Sequence, residues 1–596
     1  MKSSPVAENS FLIRYPAVVV AVVACLLYLN ALRLGFVYFD DDILVLINWE
    51  KISDLSNLGQ AFRTDAFFGN HSPYYRPLQT VSLMADAAVG GRSPAMYHAT
   101  NVVLHVFTSL GVLWFFGLLG FARPKALAAA LVFAVHPLMG HAVLWIPARG
   151  DLLVTLFAVL AGGVLLRYLV TGRPFFLLLH GLAVTAAMFS KESGVMLPVL
   201  FAFLVFMRRK EASVKKGAAL AGVWLISAVA WYGMRYLAID HRDDPQVGFH
   251  AIAANLPFIP ELVARFFFPW SLPVTPVFSG AITLAGIILS LGIAGWIAMR
   301  TERAWLPMVL FGAAWFLVFS IPNMFVRLSS AGDSFEYLNH RSYLPSVGFL
   351  MLIAAAIPAG WPVFSKRSDR WATGLAVLLL GAISLAQQGN YMSAHSFWGS
   401  AIEYRPDKAW FRYYLGRYHF KTNDNDAYEK YLLEAEDLKS YAEFKYQLGM
   451  IWFADRKNYE KAYEYFTAAF RQGYAEPEGR KNFIALCLES SADLYKKGEF
   501  KKAAERCAEA VVNDPSNADA AYNLGIYLVN SGQKEQAAAM WKQAIRLNPG
   551  LASAYRSLSL YYRYDAKKAD SAEWYAREYV RLGGTGGQVS PGGKTE

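Results

Sequence analysis

Three adjacent carboxylates, Asp40–Asp41–Asp42, stand in the stretch GFVYFDDDILVLIN, immediately after the first apolar block of the chain. Neighbouring carboxylates repel one another, and at a membrane face they also lose hydration. Both effects raise the pKa of at least one of them, as a general base requires. The same cluster suits a divalent cation held through oxygen ligands, and the plain alternative is a solvated loop that stops the helix. Arg76 follows Tyr75 in YYRPL, where a guanidinium on an outer loop can clamp a phosphate through paired N–H groups. Asp86, Tyr97, His98, Asn101 and His105 come next, and the 3–4–7 spacing of the last three puts them on one helical face. His105 is expected to hydrogen-bond between helices. His98 and His105 lie about two turns apart, too far to form a metal site by themselves.

Further candidates lie downstream. The segment HPLMGHAVLWIPARGD carries His136, Arg149 and Asp151. Arg149 and Asp151 are functional candidates if they lie within the hydrocarbon, and an ordinary salt bridge otherwise. Lys191 and Glu192, in SKES, are charged residues between two apolar runs, either a mutually neutralising pair or, for Lys191, a partner for an anion. In EYLNHRSYLP, Arg341 and Tyr343 open another apolar run, with Arg341 either a second phosphate clamp or an interfacial anchor. A P-loop, G-x-S-x-G and HExxH are all missing from the sequence, so neither ATP chemistry nor a zinc hydrolase is suggested.

The elements that must position these residues are membrane spans. The 596 residues are 55% hydrophobic and 17% charged, with a mean hydropathy of +0.26. Apolar blocks at about 16–34, 98–121, 126–146, 150–171, 174–189, 192–208, 217–239, 276–299, 304–322, 343–364 and 371–390 give eleven candidate spans, each near the ~20 residues a bilayer requires. The first block is too long for a signal h-region and lacks a cleavage site, so it reads as retained. The stretch 252–270, with Glu261 and Arg265, reads as interfacial or re-entrant. With the N-terminus cytoplasmic, the inside segments hold sixteen Lys/Arg against four Asp/Glu, which follows the positive-inside rule. The long loops 35–97, about 240–275 and 323–342 then lie outside, as does everything after residue 390. The net charge of +11 is therefore a topology signal and does not call for nucleic acid. Three cysteines without a CxxC pair exclude a disulfide scaffold, and spacing leaves open whether Cys487 and Cys507 pair.

After residue 390 the composition turns to charged, Ala/Tyr-rich helices with a period of about 34 residues, the tetratricopeptide (TPR) signature. Segment 516–549 is the clearest copy, with Tyr522, Leu524, Gly525, Gly532, Ala537 and Pro549 in place. Segment 441–474 is another, and weaker copies lie at 409–440, 475–515 and 550–583. Such a solenoid presents a surface suited to peptide, so acceptor or partner recruitment is expected, with a stabilising cap as the alternative. The expected domains are 1–390, a membrane bundle; 391–583, the solenoid; and 584–596, a flexible tail.

The order FVYFDDD, YYRPL…YH…N…H, FAVHP…W…ARGD, SKESGVMLP and RSYLPSVGF, followed by TPRs, resembles the transmembrane-and-TPR O-mannosyltransferases and their bacterial relatives. The resemblance covers nearly the whole chain. It implies an all-α fold, a polytopic GT-C-type bundle followed by a TPR solenoid, in the inner membrane. It also implies transfer of sugar from a polyprenyl-phosphate donor to Ser/Thr hydroxyls of an extracytoplasmic protein. By that analogy Asp40 or Asp41 matches the acidic pair that supplies the base. The phosphate leaving group gains negative charge, and on that physical ground Arg76, Arg149, Lys191 or Arg341 are the candidates to stabilise it, with Asp42, Tyr75, Asp86, His98, Asn101, His136, Asp151, Glu192 and Tyr343 as candidate supporting residues. No metal ligand set is implied. His141 departs from the pattern, standing where relatives commonly carry Glu. The competing classes are a non-catalytic membrane scaffold for secretion or pilus assembly, a lipid-linked glycan ligase, and a transporter. Eleven spans with motif-bearing outer loops are excessive for an anchor. A ligase typically places its chemistry in a late loop, and an inverted repeat is missing for a transporter.

Overall fold

The computed structural model describes residues 11–69, 72–239, 248–270, 272–325, 336–358 and 367–585. Parts of the expected loops 240–275 and 323–342, the end of the expected span 343–364 and nearly all of the expected tail lie outside these residues. Among the described residues every regular element is helical. The chain divides into two compact units, Met1–Tyr418 and His419–Glu596.

Seven described helices are long and apolar enough to cross a membrane: Pro16–Arg33, Pro94–Leu119, Ile146–Thr171, Val214–Ala238, Gly280–Arg300, Arg303–Phe325 and Trp371–Tyr391. An eighth is the pair Arg123–Val135 and Pro137–Leu144, bent by 55°. The bend falls at Pro137, which has no N–H to continue the ladder. His136 caps the second helix, its Nδ1 accepting from Leu138 N at 3.2 Å. Of the eleven expected spans, 174–189, 192–208 and 343–364 fall on shorter helices, Pro174–Ser190, Leu197–Met207 and Tyr343–Ala356. Lys191 and a 3-10 turn at Glu192–Met196 separate the first two, where the charges of SKES part the apolar runs. The stretch expected to be re-entrant forms two short helices, His250–Ala254 and Phe258–Phe267. Glu261 and Arg265 are buried and paired at 3.3 Å, with Tyr337 Oη donating to Glu261 at 2.8 Å.

Side-chain hydrogen bonds and close backbone contacts fix the bundle around its polar centre. His105 spans three helices: its Nδ1 meets Tyr343 Oη at 2.7 Å and its Nε2 meets the Ala134 carbonyl at 3.0 Å, as the sequence suggested. Gly312 and Gly348 let the Leu306–Ser320 and Tyr343–Ala356 helices touch through their backbones. A Cβ on Gly348 would stand 2.6 Å from the Gly312 carbonyl oxygen. The last elements of this unit, Ala394–Tyr404 and the start of Ala409–Lys421, pack their aromatic faces on the loop that precedes Asp41.

The second unit is a run of helical hairpins at the places set by the 34-residue period. Ala503 and Ala537, one period apart, are fully buried, and Gly498 and Gly532 both hold left-handed turns at φ of 79° and 88°. Gly525 leaves room for Trp541, whose Nε1 would lie 2.2 Å from a Cβ there. Cys487 and Cys507 are buried free thiols.

Candidate active site

The aspartate triplet is sorted by backbone conformation. Asp41 turns inward and is 1% exposed. Its Oδ2 accepts from Val37 N at 2.7 Å, and its Oδ1 from Phe39 N and Asp42 N, each at 3.0 Å. Burial lifts its pKa from 3.8 to about 7, against the pull of the backbone N–H groups, and Asp40 next to it adds to the rise. The carboxylate closes the loop around Phe39. Tyr38 and Asp40, on either side, hold left-handed φ values of 55° and 67°, a conformation that aspartate tolerates and tyrosine adopts at some cost. Phe39 is clamped between two tryptophans. Its ring stacks on Trp145 at 5.0 Å and meets Trp398 edge-on at 5.3 Å, and its carbonyl accepts from Trp145 Nε1 at 2.7 Å. Tyr38 packs against Tyr418 at 5.0 Å. Asp42 is buried at the start of the next helical turn.

Asp40 lines a cavity of about 440 Å³, within the ~300–1,000 Å³ usual for small-molecule sites. The other charged residues of its wall are Arg76, Lys191, Glu192, Arg235 and Arg341. Trp145, His340 and Tyr74 are also in the wall. Residues from loops more than 300 positions apart in sequence thus meet in one chamber.

The cations in that wall differ in how far they are already engaged. Arg76 grips Glu192 through Nε and Nη2 at 3.1 and 3.0 Å, and lies over the Tyr74 ring at 4.4 Å. The Tyr75 amide donates to the same Glu192 at 2.9 Å, and Tyr75 Oη ties back to Phe62. Lys191 places Nζ 2.7 Å from both oxygens of Asp151, with His340 Nε2 at 3.8 Å from that carboxylate. Arg341 makes one long contact, Nη1 to the Asn323 carbonyl at 3.4 Å, and Arg235 Nη2 donates to the Pro73 carbonyl at 3.2 Å. Among the described residues neither Arg235 nor Arg341 has a carboxylate partner.

Arg149, expected at the phosphate, is not in this wall. It is fully buried, 2.5 Å from Asp86, and donates to Asn101 Oδ1 at 2.8 Å and the Tyr97 carbonyl at 2.7 Å. Asp86 and Asn101 are thereby engaged within the bundle. The local pairs considered from sequence, Arg149 with Asp151 and Lys191 with Glu192, do not form. Residues one or two apart on a helical stretch do not face each other, so each finds a partner elsewhere. His98 contacts the Gly35 carbonyl at 3.4 Å, where the Asp40 loop begins, and His136 Nε2 meets the Phe266 carbonyl at 2.8 Å. Tyr343 is taken by His105. His141 is 3% exposed, beside Trp145 and His340. Among the described residues, a group of three or more side chains placed to hold a metal ion does not occur.

Sequence reading missed Arg235, Trp145 and His340. Arg235 stands at the end of an apolar run, with no neighbouring motif to single it out. His340 stood in the quoted motif, overshadowed by Arg341.

The model for the tetratricopeptide repeat matches residues 379–443 and 522–586. A mouse protein O-mannosyl-transferase, TMTC1, is 33% identical over 197 residues, covering 30% of this chain and 21% of that protein. Mouse TMTC2 is 24% identical over 498 residues, 64% of this chain and 58% of its own length. A Caenorhabditis elegans protein O-mannosyl-transferase is 24% identical over 423 residues, 65% and 58% of the two chains. The match thus spans about a fifth of TMTC1 and little more than half of TMTC2. Among solved structures, YrrB, a TPR protein with an unusual peptide-binding site, is 20% identical with a TM-score of 0.24, covering 31% of this chain and 91% of its own. The chain is thus similar in sequence to the TMTC protein O-mannosyl-transferases, and it carries tetratricopeptide repeats beside helices long and apolar enough to cross a membrane.

Proposed function

We propose that the chain is an integral-membrane glycosyltransferase of the GT-C type, moving a sugar from a polyprenyl-phosphate donor to Ser/Thr hydroxyls of an extracytoplasmic protein. Mannose is the sugar to test first, from the names of the relatives. One observation carries this reading: the cavity sets a carboxylate, Asp40, in the same wall as two guanidiniums, Arg235 and Arg341, that lack carboxylate partners among the described residues. Lys191 and Arg76 stand in the same wall with their charges largely balanced by Asp151 and Glu192.

A serine or threonine hydroxyl is a poor nucleophile until its proton is taken in the transition state. Asp40 accepts that proton as the hydroxyl oxygen attacks the anomeric carbon. The bond from that carbon to the phosphate oxygen breaks, and its electron pair leaves with polyprenyl phosphate. A single displacement inverts the anomeric centre. Charge on the phosphate grows during the step, so cations aimed at it stabilise the transition state more than the ground state. Asp41 does not reach the substrate; it holds the loop that presents Asp40. The basic ends of the spans support an inner-membrane protein with its N-terminus in the cytoplasm and the site and the repeats outside. The repeats then recruit the acceptor.

The test is genetic. Intact masses of extracytoplasmic proteins are compared in cells with the gene, without it, and with Asp40→Asn in its place. A hexose-sized mass present only with the wild-type gene supports the reading. Identical protein masses in all three strains, with a changed lipid-linked or surface glycan, overturn it in favour of a glycan ligase.

A further inference from the structure

Arg235 lies near the end of the Val214–Ala238 helix, most of which is exposed and apolar, with Leu225, Ile226, Val229 and Leu237 between 62% and 83% exposed. A surface so apolar on a helix long enough to span a bilayer suits lipid. An arginine at such a place ordinarily extends its charge into interfacial water. Here it lines the cavity instead, and its Nε is buried without an acceptor among the described residues. One turn earlier Trp231 lies 5.7 Å below the guanidinium, and its Nε1 is likewise buried without an acceptor. Two buried donors on one helix face, both without acceptors, are costly and call for a ligand rich in acceptor oxygens. The neighbouring wall is built from Pro322, Asn323 and Phe325, at the end of a second candidate span, Arg303–Phe325.

We propose that Arg235, supported by Trp231, is a ligand for the phosphate headgroup of the lipid donor, on the side of the cavity formed by membrane helices. This rests on the reading of the donor as a lipid phosphate. The donor phosphodiester carries one negative charge, and the departing monoester carries up to two. Arg235 therefore holds the leaving group more tightly than the substrate, and its removal lowers kcat as well as raising KM.

The test uses the full-length protein in nanodiscs, with polyprenyl monophosphate as the binding probe. Arg235→Ala should weaken binding by about ten- to a hundredfold, the range of one lost charge-assisted contact. Arg235→Lys should recover part of it, and Trp231→Phe should cost a few-fold. Arg92→Ala, outside the cavity, serves as the control. Helix content and melting of each variant are measured beside binding, and Arg235→Gln replaces Ala if Ala misfolds. Equal binding by wild type and folded Arg235 variants overturns the assignment of Arg235 alone. Absence of binding by the wild type overturns the donor reading, and the proposal with it.

Discussion

The two neighbouring aspartates should respond to the same substitution in opposite ways. At Asp40, asparagine is accommodated at φ 67° as readily as aspartate, so Asp40→Asn should leave stability within about 0.5 kcal/mol of wild type. If Asp40 is the base, turnover falls by about 10²- to 10⁴-fold, equivalent to ~3–5 kcal/mol of barrier. At Asp41, asparagine keeps one oxygen for Phe39 N and Asp42 N but turns an NH₂ toward Val37 N, which now donates at 2.7 Å to Oδ2. One buried bond is lost and two donors face each other, a cost of about 1–3 kcal/mol. Asp41→Asn is thus a stability variant with partial activity.

Its pH dependence has a definite sign. The folded pKa of Asp41 is raised from 3.8 to about 7. Its stabilising contribution is therefore fully present below about 3.8 and lost as pH rises through about 7. The loss amounts to ~4 kcal/mol at most for a shift of this size. The deficit of Asp41→Asn relative to wild type should accordingly shrink between pH 5 and pH 8. Melting in nanodiscs at the two pH values, beside turnover of the lipid donor, reads both effects. A silent Asp41→Asn that melts like wild type at both pH values, beside a fully active Asp40→Asn, would exchange the two roles and refute the reasoning.

Asp86→Ala strands the fully buried Arg149 and should cost about 3–5 kcal/mol, seen as lost expression or a lower melting temperature. Pairing it with Arg149→Met should restore much of that stability and leave lipid-phosphate binding intact; loss of binding in the folded double variant would return Arg149 to the phosphate. A chain ending after Asn390 loses Trp398 and Tyr418 from Phe39 and Tyr38 and should neither hold the Asp40 loop nor turn over donor. A chain ending after Lys421 keeps both contacts and should still bind donor while modifying acceptor poorly; equal acceptor modification would remove recruitment from the repeats. Gly348→Leu, whose Cβ would stand 2.6 Å from the Gly312 carbonyl, should separate two packed helices and lower the melting temperature by the ~1–3 kcal/mol of an overpacked contact.

Much of this was legible in the sequence because it depends on local spacing. The 34-residue period places the hairpins, since each repeat is a local unit that buries its face on its neighbours. The aspartate triplet and Arg341 stood out by residue type alone. The division of labour among Asp40, Asp41 and Asp42 depends on two left-handed residues and three backbone N–H groups, which composition does not announce. The ion pairs were misjudged because charges near each other in sequence were weighed as partners, whereas Arg149 and Asp86 meet across 63 residues and Arg76 and Glu192 across 116. Arg235 was hidden by its apolar surroundings: a charge at the end of a span reads as an anchor until the cavity beside it is seen. The charges of SKES marked the break between two apolar runs, whereas the 55° bend at Pro137 lies inside one and shows only in the fold.

The most direct measurement is sugar transfer by the purified full-length protein. Radiolabelled polyprenyl-phosphate mannose is supplied in nanodiscs together with extracytoplasmic protein bearing serine and threonine. Label should appear on protein, be released by β-elimination, and vanish with Asp40→Asn while that variant still binds polyprenyl phosphate. Folded wild-type protein that binds the lipid but passes label only to another lipid or a glycan, or that transfers it equally well with Asp40→Asn, would contradict a carboxylate-assisted transfer to protein hydroxyls.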